Sequence, residues 1–378
     1  MSVTRLLSLL FICGAVHAAP PPVSVSDLVI GQVAPLSGVL AKTGKQMVAG
    51  GQIYFDHINA QGGINGRKIR VLIKDDGYKV DETVRLTREL IESDKALALF
   101  GFAGTGNIAE LLKLSVLKEA NIPLVAPYTG GEPLRSPFNP YIFHVRAGYG
   151  DEAEAMVNQL ATIGIKNIAV FYQNDPFGLA GLAGVEAAAA RHGAQIVSKA
   201  SYEKNTENVE QAVNAIAKAG PQAVIMISIT KSTAAFIQRF RKLNESALLF
   251  SISVVNVNDL VELVGTTSLR GIGITQVAPS PTSGVLATAR EYRTLLKKYA
   301  PQEEPSYTSF EEFLGAKVLV EGLRCSGANP TRQKLMEALA SIKNFDLGGH
   351  DITFGENNRI GSKFVEVTMI NGAGKLKK

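Results

Sequence analysis

The chain has no tryptophan, two cysteines and five histidines in 378 residues. So little cysteine and histidine excludes a disulfide-stapled scaffold and a zinc-ribbon architecture. Charge of one sign is also scarce: the net charge is +5, with basic residues scattered among acids. That distribution lacks the basic stripe of a nucleic-acid binder. The 36 Gly and 16 Pro follow no triplet repeat, which excludes collagen. Catalytic signatures are missing too, with no G-x-S-x-G, no H-E-x-x-H and no G-x-x-x-x-G-K-[ST]. His57, His144, His192 and His350 fall in separate segments. Neither a cofactor nor a metal is expected, and the chain is read as a non-enzyme. Past the N-terminus no segment approaches the ~20 apolar residues of a membrane span.

What is present is a globular mixture, 46% hydrophobic and 19% charged. Its length suits two or three domains. Met1 to Arg5 is polar with one positive charge, Leu6 to Ile12 is apolar, and Val16-His17-Ala18 precedes a proline run. Residues 1–18 therefore read as a secretory signal peptide, and the mature chain as exported. Cys13 followed by Gly14 raises a lipoprotein alternative, against which the bulky Ile12 argues. Without Cys13, Cys325 stands alone and is expected as a small buried hydrophobe in a helix.

Strands and helices alternate along the body. Leu28 to Ala34, Ile69 to Ile73, Leu97 to Gly101, Ile122 to Ala126 and Tyr141 to Val145 read as strands. Helices over Gly44–Asn59, Asp81–Ser93 and Ile108–Ala120 separate the first four. The pattern restarts with the strand Tyr141 to Val145 and a helix over Asp151–Ile163. Strands follow at Asn167, Gln195, Ala223 and Leu248, with helices between. Two longer helices, Leu286 to Tyr299 and Phe310 to Cys325, and two extended stretches, Asp351 to Phe354 and Phe364 to Ile370, complete the chain. Alternation of this kind implies right-handed crossovers and parallel sheets. The fold class is α/β: two doubly wound parallel-sheet lobes joined by a three-crossing hinge. Lobe one is expected over 27–146 plus 276–350, and lobe two over 147–275 plus 351–378.

Open parallel sheets bind ligands beyond the carboxyl ends of their strands. Those ends carry Pro35-Leu36-Ser37-Gly38, Gly104-Thr105-Gly106-Asn107, Tyr128-Thr129-Gly130-Gly131 and Asp175-Pro176-Phe177-Gly178. Each offers backbone N–H groups at a helix start, suited to a carboxylate. Hydroxyls of Ser37, Thr105 and Thr129 add donors. Ordinary βα turns favour the same residue types, so the weight lies in several such turns sharing one edge. Gly104 to Ala109 fits G-x-G-x-x-A, but it sits in a later βα unit and the next strand ends without an acid, so a dinucleotide site does not follow. Asp75-Asp76 read as turn residues before metal ligands, and Lys42 and Lys45 as solvated.

The run Ile30 to Gly38, with Ala41 and Gly44, resembles the opening of the branched-chain amino-acid-binding family, the periplasmic substrate-binding proteins of ABC importers. Ile58 to Arg67 and Asp75-Asp76 are similar to its next hallmark. Gly101 to Asn107, Val125 to Arg135, Phe143 to Asp151 and Asp175 to Gly181 match a subgroup. The resemblance implies a monomeric two-lobe protein closing on a small ligand, with an inner-membrane ABC permease as partner. A separate membrane signalling system is the alternative partner.

By position, the resemblance places the ligand carboxylate on Thr105, Gly106, Asn107, Thr129 and Gly130. Thr43, Phe177 and Ile229 fall where the family has wall residues, and Tyr149 where it closes over the ligand. The family's second-lobe carboxylate, which pairs with an amino-acid ammonium, falls at Val254, and no acid is there. Either Asp151 or Asp175 substitutes, or the ligand is not an amino acid but a carboxylate without an amine, an amide or a urea-like solute.

Overall fold

The computed structural model describes residues 27–377; the expected signal peptide, Cys13 and the last lysine lie outside them. The first lobe opens with β1 (Leu28–Ala34), α1 (Ala41–Ala60), β2 (Ile69–Asp75), α2 (Val80–Glu92), β3 (Ala98–Phe100), α3 (Thr105–Lys113), α4 (Val116–Glu119), β4 (Leu124–Val125) and β5 (Ile142–Phe143). These five strands form a parallel sheet in the order β2-β1-β3-β4-β5. The central strands are buried on both faces, which is why they read as apolar runs without alternation. The helices carry apolar stripes. In α2, Thr83, Leu86, Thr87, Leu90 and Ile91 are buried at helical spacing while the other face is charged. The helix expected over Ile108–Ala120 is two helices, because Ser115 sits at φ 55°, in the left-handed region, and breaks it.

The second lobe follows as α5 (Tyr149–Thr162), β6 (Asn167–Gln173), α6 (Pro176–His192), β7 (Gln195–Tyr202), α7 (Glu210–Ala219), β8 (Ala223–Ile227), α8 (Thr230–Phe240), β9 (Leu248–Ser251), α9 (Val257–Val264), α10 (Thr266–Leu269) and β10 (Gly273–Gln276). The chain then returns to the first lobe with α11 (Ala287–Tyr299), α12 (Tyr307–Cys325), α13 (Arg332–Ser341) and a hairpin of β11 (Phe345–Asp346) and β12 (Asp351–Ile352). It ends in the second with β13 (Glu366–Ile370) and β14 (Leu376–Lys377). The second sheet runs β14-β13-β10-β9-β8-β6-β7. Strands β6 to β10 are parallel, while β13 and β14 add an antiparallel edge.

The first crossing precedes Tyr149. The second follows Gln276, since Ala278 already packs in the first-lobe core with Phe55 and Phe310. The third lies after Gly361 and not after 350. Residues 351–361 belong to lobe one, because Ile352 and Phe354 pack in its core and the Gly361 N–H donates to the His144 carbonyl. Cys325 also departs from expectation. It ends α12 on an exposed position, because the buried faces of that helix pass through Val320, Gly322 and Leu323 instead.

Candidate functional site

Each lobe repeats one sheet order. In the first, β1 lies between β2 and β3; in the second, β6 lies between β7 and β8. Crossovers on either side of such a strand leave by opposite faces, and the loops beyond its carboxyl end splay into a crevice. The two crevices face each other. Loops after β1, β2, β3 and β4 supply Leu40, Tyr78, Ala103, Gly104, Thr105 and Tyr128. Loops after β6, β8 and β9 supply Phe177, Ile229 and Val254, and Tyr149 comes from the start of α5. Together they line a small cavity between the lobes, partly open to solvent. Gly104, at φ 95°, turns the chain into α3, and a Cβ there would stand 2.7 Å from the Tyr78 ring.

Of the expected site residues, Thr105, Tyr128, Tyr149, Phe177, Ile229 and Val254 meet at this cavity. The others lie beside or away from it. The Thr129 hydroxyl bonds that of Thr105 at 2.7 Å, and the Gly130 carbonyl accepts from the Tyr149 N–H. Gly106 approaches Pro176 of the opposite lobe. The Asn107 amide is spent on Thr83 and Lys204. Ser37 is exposed, its N–H donating to Asp75 at 3.2 Å. Thr43 is buried within α1 but off the lining, where Leu40, one turn earlier, stands instead. Leu40, Tyr78 and Ala103 were not anticipated, while Gly104 opens one of the expected turns. For Tyr78 the signal was available: it follows Asp75-Asp76-Gly77, a polar turn at a strand end like the others.

No charged side chain lines the cavity. Burial holds the Tyr78, Tyr128 and Tyr149 phenols above their usual range, so they are neutral. Their hydroxyls are tied outward: Tyr128 to Thr308 at 3.1 Å, Tyr149 donating to Thr129 at 3.4 Å, and Tyr78 accepting from Gln173 at 3.4 Å. Behind the Tyr128 and Tyr149 rings lies the Arg146 guanidinium, 5.3 and 5.8 Å from their centroids. It is fully buried and pairs with Glu152 and Glu311, each at 3.2 Å, and with Ser253. This cluster sits where the chain first crosses, and ties the crossing to α12 and to the β9 loop.

Both alternatives for an ammonium partner are committed elsewhere. The Asp175 carboxylate accepts from the Phe177 and Gly178 N–H groups and from Gln173, capping α6. Asp151 accepts from the Gly148 N–H at 3.0 Å, capping α5. Asp75 and Asp76 likewise fix their turn, through N–H bonds from Leu36, Gly77 and Tyr78.

The lobes touch across the mouth. Lys42 bridges to Asp259 at 2.9 Å and Glu262 at 2.7 Å, and Asn256 donates to Gln46 at 2.8 Å. Lys42 therefore spans the cleft and is not a purely solvated charge. Lys204 donates to Asn107 at 2.7 Å. One apolar cluster runs from Leu40, Met47 and Tyr78 to Phe177, Ile229 and Val254. This is a closed arrangement whose cavity is completed only by both lobes.

Among the described residues no group of three or more His, Cys, Asp or Glu could hold a metal. Nor is any described helix long and apolar enough to cross a membrane.

A family model described as a periplasmic binding protein matches residues 27–375. A "Leu/Ile/Val-binding protein homolog 7" of Brucella abortus (strain 2308) is 25% identical, over 91% of this chain and 89% of its own length. A substrate-binding periplasmic protein of known structure from Ralstonia solanacearum is 34% identical, with a TM-score of 0.89 over 93% of this chain and 99% of its own. A possible leucine/isoleucine/valine-binding protein from Rhodopirellula baltica SH 1 is 28% identical, with a TM-score of 0.87 over 94% and 96%.

Proposed function

The chain belongs to the periplasmic binding protein family, and we propose that it is the extracytoplasmic solute-binding component of an ABC importer. It takes a small amino acid or a related carboxylate or amide between its lobes, closes by its hinge and presents the closed form to a membrane permease. It acts as an exported monomer and does not transform its ligand. One observation carries this reading: the cavity wall is shared, with Tyr78, Thr105 and Tyr128 from one lobe against Phe177, Ile229 and Val254 from the other. A ligand touching both walls gains contacts only when the lobes are shut, and that differential drives closure. The names of the relatives support a solute-binding role.

The test pairs a thermal-shift screen with small-angle scattering on chain freed of co-purified ligand. A true ligand at 100 times its Kd adds about 2.7 kcal/mol of stability. It should also compact the scattering envelope, and its uptake by cells should depend on this chain. A stabilising ligand with no uptake dependence would move the role to sensing. Failure of any small solute to stabilise or compact the chain would overturn solute binding itself.

A further inference from the structure

A second cavity, of about 460 Å³, lies between the lobes and shares no residue with the first. That volume is in the range of small-molecule sites. The loop after β9 and the end of β10 enclose it from lobe two, with the C-terminal strand β14 beside them. Residues 280–282, just past the second crossing, and the start of α12 enclose it from lobe one. The loop after β9 is a partition between the two cavities. Val254 lines the first, while Ser253 and Val255 line the second. Thr308 is another link: it lines the second cavity and bonds the hydroxyl of Tyr128, a wall of the first, at 3.1 Å.

Half of the residues around this second cavity carry a hydroxyl or an amide. Its charged residues, Glu304, Lys375 and Lys377, are exposed and of both signs, so they stand at the rim. Gln276 is the pointer to a ligand. It ends β10 at 1% exposure, and its side-chain amide has no hydrogen-bond partner among the described residues. The preceding Thr275 turns its hydroxyl to Glu152 at the first crossing. Side chains alternate along a strand, so Gln276 faces the other way, into the second cavity. A buried amide left without a partner is costly, and this one has two donors and an acceptor to offer.

Beyond the solute-binding reading above, we propose that this cavity is a second binding site, for a neutral polyhydroxylated solute, a sugar or cyclic polyol, completed only when the lobes are closed. Hydroxyls both donate and accept, as the Gln276 amide requires. The carbon face of such a ring packs on Tyr307, whose phenol burial pushes up to about 12, so it stays neutral. An anion would find no charge inside and opposed charges at the rim. An apolar body would leave the Gln276 amide buried and unmet. Because both lobes supply the wall, a solute here favours closure, and by linkage it raises the affinity of the first cavity for its own ligand.

The test is titration calorimetry on chain freed of co-purified ligand, with myo-inositol, D-glucose and trehalose as probes and inorganic phosphate and hexanoate as contrasts. At least one polyol should bind with a Kd of about 1 mM or tighter and compact the scattering envelope. Gln276→Leu keeps the side chain's size and removes the amide, and should weaken that binding about tenfold or more. Thr282→Trp, at an exposed position of the lining, should do the same by filling the mouth. With no internal bond to lose, Gln276→Leu should unfold at the same denaturant concentration as the wild type or a higher one. A lower midpoint would show that the amide serves the fold, and would overturn its role as a ligand contact. Polyol binding weakened by less than about tenfold in either variant overturns the site. Phosphate or hexanoate binding more tightly than every polyol, and lost in both variants, overturns the ligand class. Binding without compaction overturns the coupling to closure. No polyol binding at about 10 mM overturns the whole proposal. All these outcomes leave solute binding in the first cavity standing, since Gln276 and Thr282 are not part of its wall.

Discussion

Lys204 of the second lobe holds its ammonium 3.8 Å from the centre of the Tyr78 ring of the first. The same nitrogen donates to Asn107 at 2.7 Å and stands 3.8 Å from Asp175. Tyr78 is also a wall of the cavity, so this contact couples the ligand's surroundings to the closed state. Its cation–π and charged hydrogen bonds are made largely in shelter from water, where each is worth more than at the surface.

Lys204→Met should therefore weaken ligand binding by about 5- to 30-fold, mostly through faster release. Unfolding of the ligand-free chain should change by no more than about 0.5 kcal/mol. Calorimetry and a denaturant titration read the two quantities separately. Unchanged affinity would mean that the closed state does not depend on this contact.

Lys42 gives the contrast. It bridges the same cleft to Asp259 and Glu262, but its side chain is 53% exposed. Solvent screens such a pair. Lys42→Ala should alter affinity by less than about threefold, and the effect should fade in high salt.

Gly106 is a wedge point. A Cβ there would lie 3.2 Å from Pro176 Cδ across the cleft. Gly106→Val should leave the open chain folded, because valine is a better helix former than glycine. It should keep the lobes apart, weakening binding by more than about tenfold. Scattering should show an extended envelope even with ligand present; a compact one would show that the cleft absorbs the added bulk.

Glu312 of α12 is buried with neither oxygen hydrogen-bonded. Burial pushes it well above the usual carboxyl range, with the adjacent Glu311 adding to the shift. The folded chain keeps a proton that the unfolded chain loses above about pH 4.3. Stability therefore falls as pH rises through that value toward the folded pKa, by about 1.4 kcal/mol per pH unit. Glu311, pushed up to about 7 chiefly by burial, contributes with the same sign over its own window. Glu312→Met should make stability fall less steeply as pH rises above about 4.3. Equal slopes in denaturant titrations would show that Glu312 is ionised in the native state.

At the first crossing, Arg146→Met would leave Glu152 and Glu311 buried without their cation. A loss of about 3–5 kcal/mol at neutral pH is expected. Arg146→Lys should recover only part of it, because one ammonium cannot reproduce the fork that reaches both carboxylates and Ser253. Full recovery would mean that charge alone matters there.

Local chemistry made much of this protein legible in its sequence. Apolar runs such as Leu28–Ala34 must be strands buried on both faces, and the polar turns after them mark where two open sheets bind. Those turns held Thr105, Tyr128 and Phe177, and the family resemblance added Tyr149, Ile229 and Val254, which line the same cavity. Other features depend on three-dimensional placement. Leu40 displaced Thr43 because the angle at which α1 leaves β1 decides which turn faces the cleft. Cys325 is exposed because the buried face of α12 had rotated past it. Residues 351–361 joined lobe one because Phe354 found Phe143 there, at a ring distance of 5.3 Å. The committed acids around the cavity were likewise settled by packing. Residue type follows from the chain, but whether Asp175 caps a helix or meets a ligand depends on which donors the folded lobes bring within hydrogen-bond reach.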